Sequence, residues 1–272
     1  MLSHESESEF ENEIPVYNRG FFVYDRVEKC VHLHGCGRNR WGVIMSFGQF
    51  IIRSKADLIE AINEYGFMPF FTNSIPGFSV EEHIDPACWW HPDTDAWSAW
   101  EWKGPVIRET GCAYGKFFEK KACYISREWF KDFANYRRDG YDFDARYDDG
   151  LASLKDKTLY DLIEQNAPIL SKQLKQLGDY RKGGNKGFDT IITRLQAQCY
   201  VTVSDFVYMK DQHGNPYGWG VAEYSTPEVW MGESFSDRVY RCTPEESYEK
   251  ILRHFAELFP DVPHSTLKKF IR

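Results

Sequence analysis

Between residues 151 and 230 the chain carries an order of hydrophobic periods that few folds accommodate. Leu159, Leu162 and Ile163 share one helical face. Pro168 suits the first turn of a second helix, in which Leu170, Leu174 and Leu177 keep the helical period and Gly178 is the stop. The stretch RKGGNKGFDTIITRLQAQCYVTVSDFVY, from Arg181 to Tyr208, then opens with a basic glycine-rich turn. Its third helix places Phe188, Ile191, Ile192 and Leu195 at i, i+3, i+4 and i+7. YVTVSDFVYM reads as a strand, KDQHGNPYG as a turn and WGVAEY as a return strand. Helix, helix, helix, strand, long turn, strand is the order of a winged helix-turn-helix, so the expected class is α+β with that module as its core.

Winged helices place the last helix in the major groove and the wing on backbone or minor groove. The candidate contacts are therefore Lys182 and Lys186 before and at the helix start, Thr190, Thr193 and Arg194 on its polar face, and Lys210 and His213 in the wing. Charge supports a local interface only. The whole chain is at −8, whereas Lys172 to Arg194 holds six cations against Asp179 and Asp189. An acidic protein with one basic segment can still meet a phosphate backbone there. A solvated helix pair is the competing explanation of the same charges.

Before the module, Ser54 is a cap for a helix striped by Leu58, Ile59, Ile62 and Tyr65 and ended by Gly66. Residues 111–126 read as a hairpin with a Glu-Lys-Lys turn, and residues 127–140 as a short helix closed by Gly140. After the module, Thr243, Pro244 and Glu246 form a capping box for a C-terminal helix. The expected organisation is thus an extension over 1–44, an aromatic-rich α+β region over 45–150, the winged helix over 151–230 and a helical segment over 231–272. Residues 1–13 are acidic and polar enough for disorder. Trp41-Gly42 must be encoded by a G-rich run just upstream of the Met45 codon, which suggests a translation start at Met45.

Several strings resemble the bacterial AlkZ-related proteins: GFMPFF, WEWKGPVIR, AYGKFF, YRRDGYDFDARYDDGLAS, RKGGNKGF, LQAQCYVTVSDF and YGWGVAEYSTPE, spread over about residues 54 to 230. These are relatives of winged-helix DNA glycosylases that remove alkylated or crosslinked bases. The resemblance implies double-stranded DNA as a partner. The glycosylases use a Gln-apolar-Gln or Gln-apolar-Asp motif at the start of a strand to handle the attacking water, which makes Gln196 and Gln198 the catalytic candidates. In the glycosylases that motif belongs to an N-terminal winged helix, whereas here it comes late. The geometry is decisive: in extended backbone both amides point to one side, while in a helix they diverge by about 200°.

The tryptophan group Trp89, Trp90, Trp97, Trp100 and Trp102 offers a base pocket, since glycosylases hold an extruded base between aromatic or apolar side chains. Trp100, Trp102, Tyr114 and Phe117 are the candidate lining, with Glu101 as a catalytic carboxyl between two indoles. Against this, tryptophans build cores, and a strand would point Glu101 away from both neighbours.

Metal ligation draws little support. In a strand, Cys30, His32, His34 and Cys36 spread over about 20 Å, too far for one tetrahedral ion. YDFDARYDDG has Arg146 where a calcium loop needs a ligand and lacks the closing glutamate. Salt bridges of its acids to Arg137, Arg138 and Arg146 are expected instead. GGNKG lacks the ending of a phosphate loop. No cofactor or metal is expected. Seven cysteines without even spacing suggest reduced thiols and a cytoplasmic location, and no apolar run is long enough to span a membrane. Three functions follow: a DNA-associated winged-helix protein related to AlkZ-type glycosylases, an active glycosylase, or a protein-interaction module without nucleic acid.

Overall fold

The Ser54 hydroxyl accepts a hydrogen bond from the backbone N–H of Asp57 at 3.2 Å, meeting one of the donors that a helix start leaves bare. Helix α1 (Lys55–Tyr65) buries Leu58, Ile62 and Tyr65 and stops at Gly66. Gly66 has φ +77°, and a Cβ there would lie 2.1 Å from Trp129 Cδ1, so both conformation and space demand glycine. The computed structural model describes residues 47, 50–90 and 98–272, which belong to one compact unit. The Cys30–Cys36 cluster, Trp97 and the Met45 question lie outside the described residues.

Strand β1 (Phe67–Pro69) is followed by two short helices, α2 (Val80–His83) and α3 (Pro86–Trp89), and by α4 (Ala99–Thr110). Residues 98–102 are thus helical rather than extended. The expected hairpin is β2 (Ala113–Phe118) and β3 (Lys121–Ile125), joined by Glu119 and Lys120 at φ 48° and 60°. Two successive positive φ values suit the twist of a two-residue hairpin turn. β1 adds on the other side of β3, giving an antiparallel sheet ordered β1-β3-β2. Helices α5 (Arg127–Arg138) and α6 (Phe143–Asp148) follow.

The second half runs α7 (Leu154–Asn166), β4 (Ile169–Leu170), α8 (Ser171–Leu177), α9 (Phe188–Ala197), β5 (Thr202–Lys210) and β6 (Pro216–Ser225). β4, β6 and β5 form a second antiparallel sheet in that order. The molecule is therefore α+β. Pro168 does not open the second helix: it precedes β4 through a cis peptide, and α8 begins at Ser171. Short helices α10 (Pro227–Met231) and α11 (Glu233–Ser236) lead to α12 (Pro244–Leu258) and α13 (His264–Ile271). The Thr243–Glu246 capping box forms as its spacing requires.

Much of the core is aromatic. Phe255 of α12 is fully buried and lies against Phe67, Phe78 and Phe270, while Phe118 stacks on Phe270 at 4.6 Å between ring centroids. β2 and β5 are joined at Tyr114, whose backbone N–H donates to Thr202 Oγ1 at 3.1 Å while that hydroxyl donates to the Tyr114 carbonyl, also at 3.1 Å. Arg138, the last residue of α5, is buried and reaches three parts of the chain. It donates to Glu228 Oε1 at 2.6 Å, to the Tyr240 hydroxyl at 3.1 Å and to the Cys199 carbonyl at 2.9 Å. Burial alone would push this guanidinium down, but Glu228 and Tyr240 together outweigh it and hold the group charged.

Candidate nucleic-acid interface

The glycine-rich turn before α9 is a tight, hydrogen-bonded loop. Asn185 N–H donates to the Asp179 carbonyl at 2.6 Å, the Asn185 side chain donates to the Gly178 carbonyl at 2.9 Å, and Gly184 N–H donates to the Arg181 carbonyl at 2.9 Å. A Cβ at Gly184 would sit 2.1 Å from the Asp179 carbonyl oxygen, so only glycine lets the loop fold back this closely. With its backbone occupied inward, the loop presents Arg181, Lys182 and Lys186 outward. All three are exposed, and among the described residues none has a carboxylate within ion-pair range.

Helix α9 buries Phe188, Ile191, Ile192 and Leu195, the stripe read from the sequence. Thr190 is exposed and Thr193 half-buried. Arg194 is spent. Its Nε donates to Asp156 Oδ1 at 3.0 Å and its Nη2 reaches the same oxygen. Burial would raise the Asp156 carboxyl, but the hydrogen bonds from Arg194 and Ser153 outweigh it and hold the group below the usual carboxylate range. Arg194 is therefore removed from the set of unpaired cations. Asp189 also approaches Lys175 at 3.6 Å.

At the far end of the β5–β6 hairpin, Lys210 and His213 are exposed. Asp211 shapes this tip by accepting from the backbone N–H groups of His213 at 2.8 Å and Asn215 at 2.9 Å. Those bonds, the one from Asn215 foremost, hold its carboxyl below the ordinary value.

The glutamine pair does not converge. Gln196 lies within α9 and Gln198 is its C-cap, so their amides leave the helix in different directions. Gln196 is 3% exposed, donates to the Ile192 carbonyl at 3.2 Å, and accepts from the Lys116 backbone N–H at 3.0 Å. Its amide fastens α9 to β2, and the joint water-holding reading of Gln196 and Gln198 is corrected on this geometry. Gln196→Ala is expected to cost about 1–3 kcal/mol, because the Lys116 N–H loses its acceptor. Gln198→Ala should stay within about 0.5 kcal/mol. Urea denaturation of the two variants checks this, and equal effects would oppose it.

The aromatic candidates also separate. Trp102, Tyr114 and Phe117 are core residues at 5%, 5% and 2% exposure and cannot line an open pocket. Glu101 serves as the N3 member of the α4 capping box, accepting from the Ser98 backbone N–H at 2.9 Å and from its hydroxyl. Trp100 does reach an open cleft of about 240 Å³, shared with Lys103, Phe206, Tyr208, Trp219 and Gly220. Sequence reading missed these partners. The signals were the i, i+3 spacing of Trp100 and Lys103 on one helix and the i, i+2 spacing of Phe206 and Tyr208 on one strand.

Among the described residues no cluster of three or more His, Cys, Asp or Glu is placed to hold a metal ion. The acidic stretch expected to pair with Arg137, Arg138 and Arg146 is engaged otherwise: Asp142 caps α6 and Asp144 meets Lys157 at 3.0 Å. Arg137 donates to the Phe117 carbonyl at 3.1 Å, and Arg138 is directed into the core. Among the described residues no helix is long and apolar enough to cross a membrane.

A family model described as AlkZ related matches residues 52–272. The chain belongs to the AlkZ-related family. The matched range takes in both sheets, the basic loop and the aromatic cleft, so every feature above falls within the AlkZ-related region. Comparison with curated proteins and with solved structures gave no match.

Proposed function

We propose that residues 154–225 are a winged helix-turn-helix through which this AlkZ-related protein contacts duplex DNA. The order α7-β4-α8-α9-β5-β6 and the sheet order β4-β6-β5 support the module, with α9 as recognition helix and the β5–β6 hairpin as wing. The observation that carries the DNA reading is the exposure of Arg181, Lys182 and Lys186, unpaired among the described residues, on a loop leading into α9, in a chain whose net charge is −8. Family membership supports kinship with DNA glycosylases. Base excision by Gln196 and Gln198 draws no support from their divergent amides.

Binding of a fluorescent duplex, followed by anisotropy at 50 and 200 mM salt, tests the reading. Three phosphate contacts give a loss of roughly 40-fold across that range, from a slope of about −0.9 per contact. Absent or salt-independent binding would favour the protein-interaction alternative.

A further inference from the structure

Lys103 occupies the cleft at the side of the proposed wing. Its Nζ lies 4.5 Å from the centroids of both the Trp100 and Phe206 rings. Among the described residues it has no carboxylate in ion-pair range. Burial lowers its pKa to about 8, opposed by Glu101, and the two aromatic faces also favour the ammonium. A usable fraction of neutral amine is therefore present just above neutrality. Among the described residues the indole N–H of Trp100 is buried without an acceptor, which leaves an unused donor on the residue that forms the cleft wall.

The rings leave no slot for a sandwiched base. Trp100 meets Trp219 edge-on at 6.0 Å and 67°, and Trp219 already stacks on Trp90 at 4.9 Å. What the cleft offers is an amine, and the electrophilic carbon that damaged duplex DNA presents to an amine is the open-chain aldehyde of an abasic site. Phe206, Tyr208, Trp219 and Gly220 of the β5–β6 hairpin form its other wall, so a group entering from DNA held by that hairpin arrives at Lys103.

We propose that Lys103 forms a reversible imine with the ring-opened deoxyribose aldehyde of an abasic site in duplex DNA, a step that rests on the DNA reading above. The neutral Nζ adds to the aldehyde carbon, giving a carbinolamine. The C–O bond then breaks, the oxygen departs as water with the two hydrogens given up by nitrogen, and a C=N bond remains. No oxidant or reductant is consumed, and hydrolysis restores both partners.

The test is borohydride reduction of the full chain mixed with a duplex containing one abasic site, with anisotropy binding to the same duplex measured in parallel. A denaturation-resistant protein–DNA adduct is expected, and peptide mass mapping should place it on Lys103. Lys103→Arg, which keeps the charge but cannot form the imine, should bind the duplex and lose at least tenfold of the adduct. An adduct mapped to another residue, or undiminished in the variant, overturns the proposal. Binding without any adduct overturns it while sparing the DNA reading, whereas absence of binding by the wild-type protein removes both. Mapping on the wild-type protein decides the question even if the variant fails to fold.

Discussion

Glu228→Ala is expected to cost about 3–5 kcal/mol of folding stability, more than Arg138→Met, because it strands a buried charge. The two partners are unequally placed. The Arg138 side chain is 2% exposed and that of Glu228 36%. Removing Glu228 leaves a guanidinium in the core with the Cys199 carbonyl and the Tyr240 hydroxyl as its hydrogen-bond acceptors and the Tyr200 and Phe235 rings beside it. Removing Arg138 leaves Glu228 with its Oε2 buried and without a hydrogen-bond partner among the described residues, but a carboxyl, unlike a guanidinium, can shed its charge by taking up a proton, and the cost is then mainly the unsatisfied Cys199 carbonyl, about 1–3 kcal/mol. Pairing Arg138→Met with Glu228→Leu should recover part of the loss, since a well-packed apolar pair often matches a buried ion pair. Urea denaturation with an unchanged m-value reads all three variants. A Glu228→Ala effect below that of Arg138→Met would overturn the asymmetry. Because Arg138 ties α5 to the α9–β5 connection at Cys199 and to Glu228 of α10, the loss should appear as one cooperative transition.

The triple variant Arg181→Ser, Lys182→Ser, Lys186→Ser should weaken duplex binding by about two orders of magnitude at 0.1 M salt and flatten the salt slope by about 2.7. These side chains are exposed and unpaired, so melting temperature should hold. Arg194→Ser is the contrasting control. It breaks the ion pair with Asp156, 38 residues away in sequence, and should act on stability more than on salt slope. If Arg194→Ser alone flattens the slope as much as the triple variant, the assignment of the interface to the loop fails.

Local signals carried a large share of the architecture. Ser54 and Gly66, the Thr243–Glu246 box, the Phe188–Leu195 stripe and the hairpin over 111–126 each lie within a few residues of the structure they specify. A cap bonds to a backbone donor two or three positions away, and a helical stripe repeats every turn. Helices α7, α8, α9 and α12 and the β5–β6 hairpin were therefore readable in order without coordinates, whereas the two-residue β4 and the helices α10, α11 and α13 were not. Pro168 misled because its favoured first-turn role competes with its equally good fit before a strand.

The site was another matter. Sequence supplied the inventory of cations, glutamines and tryptophans, and the glycine spacing that makes the basic loop. Tertiary structure alone decided which of them are available. Arg194 is claimed by Asp156, Gln196 by the Lys116 N–H 80 residues away, and Lys103 is enclosed by Phe206 from a strand beyond residue 200. A charge or an amide acts on whatever lies within a few ångströms, and that neighbourhood is set by how distant segments pack rather than by their place along the chain.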